Sequence, residues 1–320
     1  MISSFRIVNQ SIRTLSATRS FAISAKVVKE LREATGAPML DCKKALENPE
    51  VNGNIEKAID YLRKQGMKRV NKVGGRKACQ GLIASYCEGN KGVLIELNSE
   101  TDFVSRNDYF QLLAKDIVKT AYNSDKTTLE DINKLPMRNQ TVEDSIKEAI
   151  GKIGENLVLR KVSVIQAPTG SSLSLYTHNT LSPNLSQMAS ILNYQYISNI
   201  KDINKEEEEV KELAHKIAMH IVAANPICSY IKDVPKDKLD KEKEVIREQI
   251  SKEKKPANII EKMINGKLNG YYKQVVLTEQ PFVLIEGSPV MKKYIESFNK
   301  SNNGKFTIND FIRMQVGEQL

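Results

Sequence analysis

The chain lacks several features on which common protein functions depend. It has no tryptophan, three histidines and four cysteines among its 320 residues. No part of it approaches the run of about 18 apolar residues that indicates a membrane-spanning helix. The cysteines show no CxxC spacing, so they predict reduced thiols rather than a zinc site or a disulfide framework. These cysteines are Cys42, Cys79, Cys87 and Cys228.

The sequence motifs of common catalytic sites are absent as well. There is no GxxxxGK[ST] phosphate loop, since Gly304-Lys305 is followed by Phe306, and there is no GxSxG or HExxH. His215 and His220 stand five residues apart in one predicted helix, which points them to different faces and disfavours a shared metal site. We therefore expect no enzyme, no metal and no cofactor, and we favour a protein that binds another protein.

Acidic residues are missing from the first 26 positions, although the whole chain has 39 of them against 48 lysines and arginines. This segment is rich in arginine and serine, and its apolar residues recur at helical spacing from Phe5 to Leu15. Such amphipathic, acid-free segments are typical of organelle transit peptides. We predict a transit peptide over residues 1–25, cut between Ser20 and Val28, and a location in the mitochondrial matrix. A disordered basic tail is the alternative.

Apolar periodicity predicts a small helical head after this segment. Three short helices are expected between residues 26 and 66. The apolar stripe of the first includes Ala34 and is closed by Gly36. Asn54 caps the third helix, which is expected to end at Gly66. The residues predicted to face inward on this third helix are Ile55, Ala58, Ile59 and Leu62.

The middle of the chain begins with a strand hairpin, residues 81–88 and 92–98. The second strand alternates in polarity and predicts one better-buried face. Helices are expected at 107–122 and at 142–153, the latter introduced by a capping box that starts at Thr141.

The same plan is repeated further along. Strand-like segments at 156–166 and 172–178 precede a helix at 206–224, and residues 185–197 fit either a strand or a helix. The spacing Leu113-Ala114-x-x-Ile117 recurs as Leu213-Ala214-x-x-Ile217. We therefore predict two related sheet-and-helix subdomains with antiparallel sheets.

The C-terminal part differs in character. Residues 236–272 read as two helices with narrow apolar seams, the second including Ile259, joined at Pro256 as a projecting antiparallel hairpin. Strand and turn follow at 275–287, and the chain ends with a helix near 290–299 and a strand at 306–316. The fold class is thus α+β. The predicted segments are 1–25, transit peptide; 26–66, helical head; 67–80, basic linker; 81–155, first core subdomain; 156–235 and 273–320, second core subdomain; 236–272, helical hairpin.

One short stretch has no clear structural task. Ser105 followed by Asp108 fits a capping box, with Val104 and Tyr109 at the positions of a hydrophobic staple. Neither the capping box nor the staple gives a structural role to Thr101, Asp102 or Phe103. Phe103 could fold back into the core while Asp102 makes an Asx turn, or the pair could contact a partner.

The "TDFV" of this stretch, placed after an apolar strand, resembles the signature of elongation factor Ts, the family of guanine-nucleotide exchange factors of elongation factor Tu. Further blocks are similar in order and spacing. They are "LREATGAPMLDCKKAL" at 31–46, "KIGENLVLRKV" at 152–162, "AHKIAMHIVAANP" at 214–226, "QPFV" at 280–283 and "VGE" at 316–318. With the transit peptide, the chain looks like a mitochondrial member of that family.

The resemblance implies a function and a set of contact residues. In the family, the TDFV loop enters elongation factor Tu beside its Mg²⁺ and phosphate site, so that GDP leaves and GTP then displaces the factor. The head resembles a ubiquitin-associated (UBA-like) three-helix bundle, and the hairpin resembles the family's coiled-coil projection. The implied partner-binding residues are Thr101, Asp102, Phe103 and Val104 in the loop; Met39, Leu40 and Lys43 in the head; Ile153, Gly154 and His178 in the core.

The resemblance also sets the expected partners. Bacterial relatives continue past "VGE" into a further C-terminal helix, so we expect a monomer that forms a one-to-one complex, with no direct contact to nucleic acid or membrane. A mitochondrial RNA-binding or ribosome-binding protein is the alternative suggested by the basic charge. A ubiquitin-binding adaptor is the alternative suggested by the head.

Overall fold

The computed structural model describes residues 23–198, 204–251 and 257–318. Most of the predicted transit peptide therefore lies outside the described residues. The chain divides into two compact units, residues 1–65 and 66–320. Among the described residues, no helix is both long enough and apolar enough to cross a bilayer.

The first unit is a helical bundle with a small core. Helix α1 spans Ala25–Thr35, α2 spans Met39–Glu47 and α3 begins at Ile55. Gly36 ends α1 in the left-handed conformation, with φ of 70°, and donates its N–H to the Arg32 carbonyl. The buried faces of α1 and α3 are narrower than predicted, because Ala34 on α1 is exposed and Ile59 on α3 keeps 38% of its surface exposed to solvent. The buried core consists of Val28, Leu31, Ala37, Cys42, Ala45, Leu46, Val51 and Ala58.

Helix α3 does not end at Gly66 as predicted but continues to Val73. The first residues of the predicted linker, 67–73, are therefore helical. Gly66 lies against another glycine, since a Cβ built on Gly151 would stand 3.3 Å from the Gly66 Cα. The glycine permits close backbone contact here, which explains why it is not a helix stop.

The second unit is built on an antiparallel sheet with the strand order β5-β2-β1-β7-β6, in which β8 also pairs with β7. Its strands are β1 (Gln80–Glu88), β2 (Lys91–Ser99), β5 (Val158–Gln166), β6 (Ser172–Ser182), β7 (Leu185–Ser198) and β8 (Gly304–Gln315); β3 (Pro136–Met137) and β4 (Gln140–Thr141) form a separate short hairpin. The ambiguous segment 185–197 is thus a strand. The two predicted halves share one sheet, because Ile83 and Ala84 of β1 pair with Ser186 and Leu185 of β7.

Strand β2 is buried on both faces, so the prediction of one better-buried face is wrong. Val93, Ile95 and Leu97 lie in one core cluster, while Leu94 lies in another. The intervening Glu96 is fully buried as well. Because Glu96 is charged, the sequence pattern did not indicate that the second face of β2 is buried.

Each half places a long helix on its strands, as predicted. Helix α4 (Asp108–Tyr122) packs on β1 and β2, and α7 (Asn204–Ala224) packs on β6 and β7. The short α5 (Leu129–Asn133) and then α6 (Val142–Ile153) follow α4. Thr141 caps α6 by accepting the N–H of Asp144 at 3.1 Å, and the Asp144 carboxylate accepts the Thr141 hydroxyl at 2.8 Å, which confirms Thr141 as the N-cap. The buried faces are Phe110, Leu113, Ala114, Ile117, Val118 and Ala121 on α4, and Val210, Leu213, Ala214, Ile217, Ala218 and Ile221 on α7.

The hairpin consists of α8 (Lys236–Ser251) and α9 (Ala257–Val275). Ile246, Ile250 and Leu268 form its buried seam, whereas Ile259 is 42% exposed and lies outside it. Pro256, predicted as the joint, lies outside the described residues.

For the predicted strand and turn at 275–287, the strand is wrong, whereas turns are present at 283–287. Residues Leu277–Glu279 form a 3-10 turn, and Pro281 makes one isolated bridge to Val290. Proline has no N–H to give to a ladder, which is why a longer pairing does not form. Helix α10 (Met291–Ser301) and β8 then complete the unit.

Candidate functional site

The loop between β2 and α4 carries the "TDFV" stretch. Val104–Arg106 form a single 3-10 turn, and the Ser105 hydroxyl donates to the Asp102 carbonyl at 2.6 Å. Helix α4 is capped by Asn107, whose Oδ1 accepts the N–H of Tyr109 at 2.9 Å. The predicted capping box with Ser105 as N-cap is therefore wrong, because the 3-10 turn displaces the helix start by two residues.

Phe103 stands at the tip of this loop with 78% of its surface exposed. Among the described residues it is the most exposed large apolar side chain. The alternative in which Phe103 folds into the core is thereby excluded. Val104, in contrast, is buried and packs into the core cluster of the first half.

Asp102 is also exposed. Within the part of the chain that the structure describes, its carboxylate has neither a hydrogen bond nor an ion pair, so the predicted Asx turn does not form. The backbone carbonyl of Asp102, by contrast, accepts both the N–H and the hydroxyl of Ser105. The loop therefore has a fixed backbone and two side chains, one acidic and one aromatic, that face solvent.

The base of the loop is held by carboxylates. Thr101 donates its N–H to Glu155 Oε2 at 2.9 Å and its hydroxyl to Glu155 Oε1 at 2.7 Å. In return, the backbone N–H of Asn156 donates to Glu100 Oε1 at 2.7 Å. The Ser99 hydroxyl donates to the Thr101 carbonyl at 2.8 Å. The loop is thus fastened to the segment that follows α6.

Ile153 is the last residue of α6, and Gly154 is the first residue of that segment. Gly154 ends α6 with φ of 90° and donates its N–H to the Ile150 carbonyl, a conformation that favours glycine. Ile153 is half-buried against the core of the first half. Because Glu155 follows directly, the structure brings Ile153 and Gly154 together with the loop.

His178 lies on the exposed part of β6, opposite Met188 of β7. Its Nδ1 is 3.2 Å from the Tyr176 hydroxyl, and Tyr176 meets the His215 ring edge-on at 5.5 Å. In the described ranges, no hydrogen bond or ring contact joins His178 to the loop.

Met39, Leu40 and Lys43 lie on α2 in the helical head. Leu40 is 61% exposed and Met39 43%, so the first turn of the helix presents two apolar side chains to solvent. Lys43 forms an exposed pair with Glu47 at 3.8 Å. Exposed pairs of this kind add little stability, which leaves the lysine available to a partner.

A cleft of about 230 Å³ opens beside the first turn of α4. Lys152 lies over the Tyr109 ring, with its Nζ 4.5 Å from the ring centroid, and pairs with Glu148 at 2.6 Å. Burial opposes the charged form of Lys152, but the hydrogen bonds to Glu148 and Tyr109 outweigh it and raise the pKa of this lysine. In the part of the chain described, no group of His, Cys, Asp and Glu side chains could hold a metal ion.

Local sequence patterns did not indicate a role for Glu100, Glu155 and Asn156. A signal for two of them was present, since the "GEN" after α6 places two polar residues directly behind a helix-ending glycine. Their pairing with the loop joins positions 54 and 56 residues apart, and such partners are not visible in local sequence patterns.

Known proteins are similar in sequence to most of this chain. The family model for "Elongation factor TS" matches residues 100–318. The elongation factor Ts of Bartonella bacilliformis is 36% identical over 299 residues, covering 93% of this chain and 94% of the relative. That of Rickettsia felis is 40% identical over 299 residues, 93% of each chain, and that of Rhodospirillum centenum is 36% identical over 303 residues, 93% of this chain and 94% of the relative. The chain therefore belongs to the elongation factor Ts family.

Proposed function

We propose that this protein is a guanine-nucleotide exchange factor for elongation factor Tu and acts in translation elongation. The observation that carries the proposal is the Asp102–Phe103 tip, an exposed carboxylate and an exposed ring on a loop with a fixed base. Exchange of this kind is a binding process, so the protein needs no catalytic residue, metal or cofactor of its own. Membership of the elongation factor Ts family supports the choice of partner.

The physical requirement is a difference in affinity. The factor must bind the nucleotide-free partner more tightly than the GDP form, and GDP must weaken the factor to the same extent. A thousandfold faster release of GDP corresponds to about 4 kcal/mol, at about 1.4 kcal/mol per tenfold. Burying one phenylalanine side chain supplies about 1.5–3 kcal/mol. Phe103 is largely exposed in the free chain, so most of that gain is available when it enters a partner.

Other contacts must supply the remainder. We assign this role to Met39, Leu40 and Lys43 of the head, to Ile153 and Gly154 beside the loop, and to His178 on β6. These groups hold the complex while Phe103 acts as a wedge near the Mg²⁺ and phosphate site of the partner. Thr101 and Val104 fix the two ends of the wedge, since Thr101 is bound to Glu155 and Val104 is buried.

Asp102 has a different role in this proposal. Its carboxylate is exposed and has no partner among the described residues, so it can accept hydrogen bonds from elongation factor Tu without breaking any of its own. We infer that it redirects hydrogen bonds around the partner's metal site rather than binding the metal. Asp102→Asn, which keeps the shape and removes the charge, tests this role.

We further propose that the protein works in the mitochondrial matrix, on mitochondrial elongation factor Tu, as a monomer in a one-to-one complex. The acid-free, arginine- and serine-rich segment 1–25 supports this location. A fusion of that segment to a fluorescent protein should enter isolated mitochondria and be shortened there. Retention outside the organelle would refute the location and leave the exchange activity untouched.

The exchange activity is tested by release of a fluorescent GDP analogue from elongation factor Tu. The wild-type chain should accelerate release, and Phe103→Ala should be at least about tenfold slower at saturating factor, a loss of about 1.4 kcal/mol. Met67→Ala is a matched control, because Met67 is another highly exposed apolar side chain, at 68%, on α3. Equal rates for the wild type and Phe103→Ala would refute the wedge, and no acceleration by the wild type would refute the function.

A further inference from the structure

Two carboxylates and two backbone N–H groups form a reciprocal clamp at the base of the loop. Glu155 accepts the N–H of Thr101, and Glu100 accepts the N–H of Asn156. We propose that Glu155, supported by Glu100, is a positioning residue for nucleotide exchange: it sets the place of the Asp102–Phe103 tip relative to the end of α6. This inference rests on the proposed function and adds a residue to it.

The clamp is closed by further hydrogen bonds. Both carboxylate oxygens of Glu155 are used, one by the N–H and one by the hydroxyl of Thr101. Arg76 lies 3.4 Å from the Glu100 carboxylate, and its carbonyl accepts the Asn156 side-chain amide at 2.7 Å. Hydrogen bonds to charged groups are stronger than those between neutral groups. Five residues thus tie the strand end, the loop and the segment after α6 into one unit.

The backbone between the clamp and α4 is fixed as well. The carbonyls of Thr101, Asp102 and Phe103 accept hydrogen bonds from Ser99, Ser105 and the N–H of Arg106 respectively. The Asp102 and Phe103 side chains therefore project from a backbone that is already ordered. A preordered loop loses less conformational freedom on binding than a loop that must first be ordered.

The arrangement differs from an ordinary stabilising contact in one respect. Glu155 is half-buried and belongs to none of the buried hydrophobic clusters of the described residues. Its partners are backbone and hydroxyl groups of the loop itself. Removing one carboxylate oxygen should therefore release the loop and leave the sheet, α4 and α6 in place.

The expected effect is on rate rather than on binding. The contacts of the head, of Ile153–Gly154 and of β6 remain in a Glu155→Gln variant, so the factor should still bind. In glutamine one carboxylate oxygen is replaced by an amide group that can only donate, to the Thr101 hydroxyl, and the remaining acceptor loses the negative charge that strengthens its hydrogen bond to the Thr101 N–H. The tip is therefore held less firmly and becomes misplaced. Since displacements of about 1 Å can cost up to a hundredfold in positioned reactions, we expect the saturating rate of GDP release to fall about tenfold.

The test measures release of a fluorescent GDP analogue from elongation factor Tu over a range of concentrations of the full chain. The variants are Glu155→Gln and Thr101→Val, singly and together, with Glu143→Gln as control. Glu143 lies in the first turn of α6 in an exposed pair with Lys147, so its loss should not matter. Hydrogen exchange of the Thr101 amide and thermal unfolding are measured on the same proteins.

Three results together support the proposal. Glu155→Gln lowers the saturating rate about tenfold, about 1.4 kcal/mol, while the half-saturating concentration changes less than about threefold. The Thr101 amide exchanges faster with little change in melting temperature. The effects of Glu155→Gln and Thr101→Val are less than additive, as expected for two groups in one contact.

The opposite results are equally clear. A wild-type saturating rate for Glu155→Gln overturns the positioning role, and so does a change confined to the half-saturating concentration, which would indicate a merely structural role. If Glu155→Gln fails to fold, Thr101→Val alone decides by the same criteria. If the wild-type chain does not accelerate release, the proposed function falls and the positioning role with it, an outcome that differs from failure of the variant alone.

Discussion

Gly317 provides a quantitative test of how the "VGE" segment is fastened to the sheet. Its φ is 74°, and a Cβ added there would stand 2.8 Å from the Cys79 carbonyl oxygen. Its N–H donates to the buried carboxylate of Glu96 at 2.8 Å, where Arg160 also binds. Gly317→Ala should therefore both strain the backbone and break a hydrogen bond to a buried charge.

The magnitude can be separated into two parts. The left-handed conformation costs a residue with a side chain about 1–2 kcal/mol. Losing the hydrogen bond between Gly317 and the Glu96 carboxylate adds about 1.5–3 kcal/mol. We therefore expect the free energy of unfolding to fall by about 2.5–5 kcal/mol.

Gly287 is the matched control because it has the same φ of 74° and has nothing within 4 Å of an added Cβ. Gly287→Ala should cost only the backbone strain, about 1–2 kcal/mol. Urea unfolding of both variants, followed by circular dichroism, gives the two values. Equal losses would refute the inference that the VGE segment is fixed through Glu96.

Three further predictions follow from single side chains. Burial lowers the pKa of His220, although its hydrogen bond to Gln280 acts in the opposite direction. Because the unfolded chain then binds a proton more readily than the folded chain, the free energy of unfolding should fall as the pH drops below about 6.5. His220→Gln should therefore flatten the pH dependence of the urea midpoint. Burial raises the pKa of Cys87 to about 11. Iodoacetamide at pH 8 should therefore alkylate Cys87 in the native protein about a hundredfold more slowly than an unstructured thiol, as followed by mass spectrometry. Alkylation at the rate of an unstructured thiol would contradict this raised pKa. Asn107→Ala should cost about 1 kcal/mol through loss of the α4 cap, whereas Asn107→Ser should cost little; equal urea midpoints for the two would contradict the assigned cap.

Local patterns were sufficient for the helices. The apolar faces of α4 and α7 repeat at helical spacing, and all six residues of the repeated Leu-Ala-x-x-Ile pattern are buried. Thr141 was found for the same reason, since a cap and its partner stand three residues apart. Features that depend on neighbouring residues can be predicted from sequence.

Features that depend on distant residues could not be predicted in this way. Gly66 was predicted to end α3 because a glycine often ends a helix. Its contact with Gly151, which accounts for the glycine at this position, lies 85 residues away in the sequence. The segment that forms β7 remained ambiguous because a strand buried on both faces loses its alternation. Ser105 was predicted as the N-cap of α4 from its local pattern, and the 3-10 turn at Val104–Arg106, which that pattern does not show, moves the cap to Asn107.

In the candidate site, too, the features that depend on neighbouring residues were predicted and those that depend on distant residues were not. Asp102 and Phe103 stood out because no local structural task remained for them, and the resemblance to a family supplied one. Glu155 did not stand out, because its partner Thr101 is 54 residues away. The loop was therefore predicted from sequence and the group that holds it was not.

The proposed function requires that Phe103 bind nucleotide-free elongation factor Tu in preference to its GDP form. The most direct measurement is the affinity of the chain for elongation factor Tu by calorimetry, without nucleotide and with saturating GDP. Wild type should bind the nucleotide-free form about a thousandfold more tightly, about 4 kcal/mol, and Phe103→Ala should reduce that ratio at least about tenfold. Equal ratios for the two proteins, or equal affinities for the two forms, would contradict this requirement.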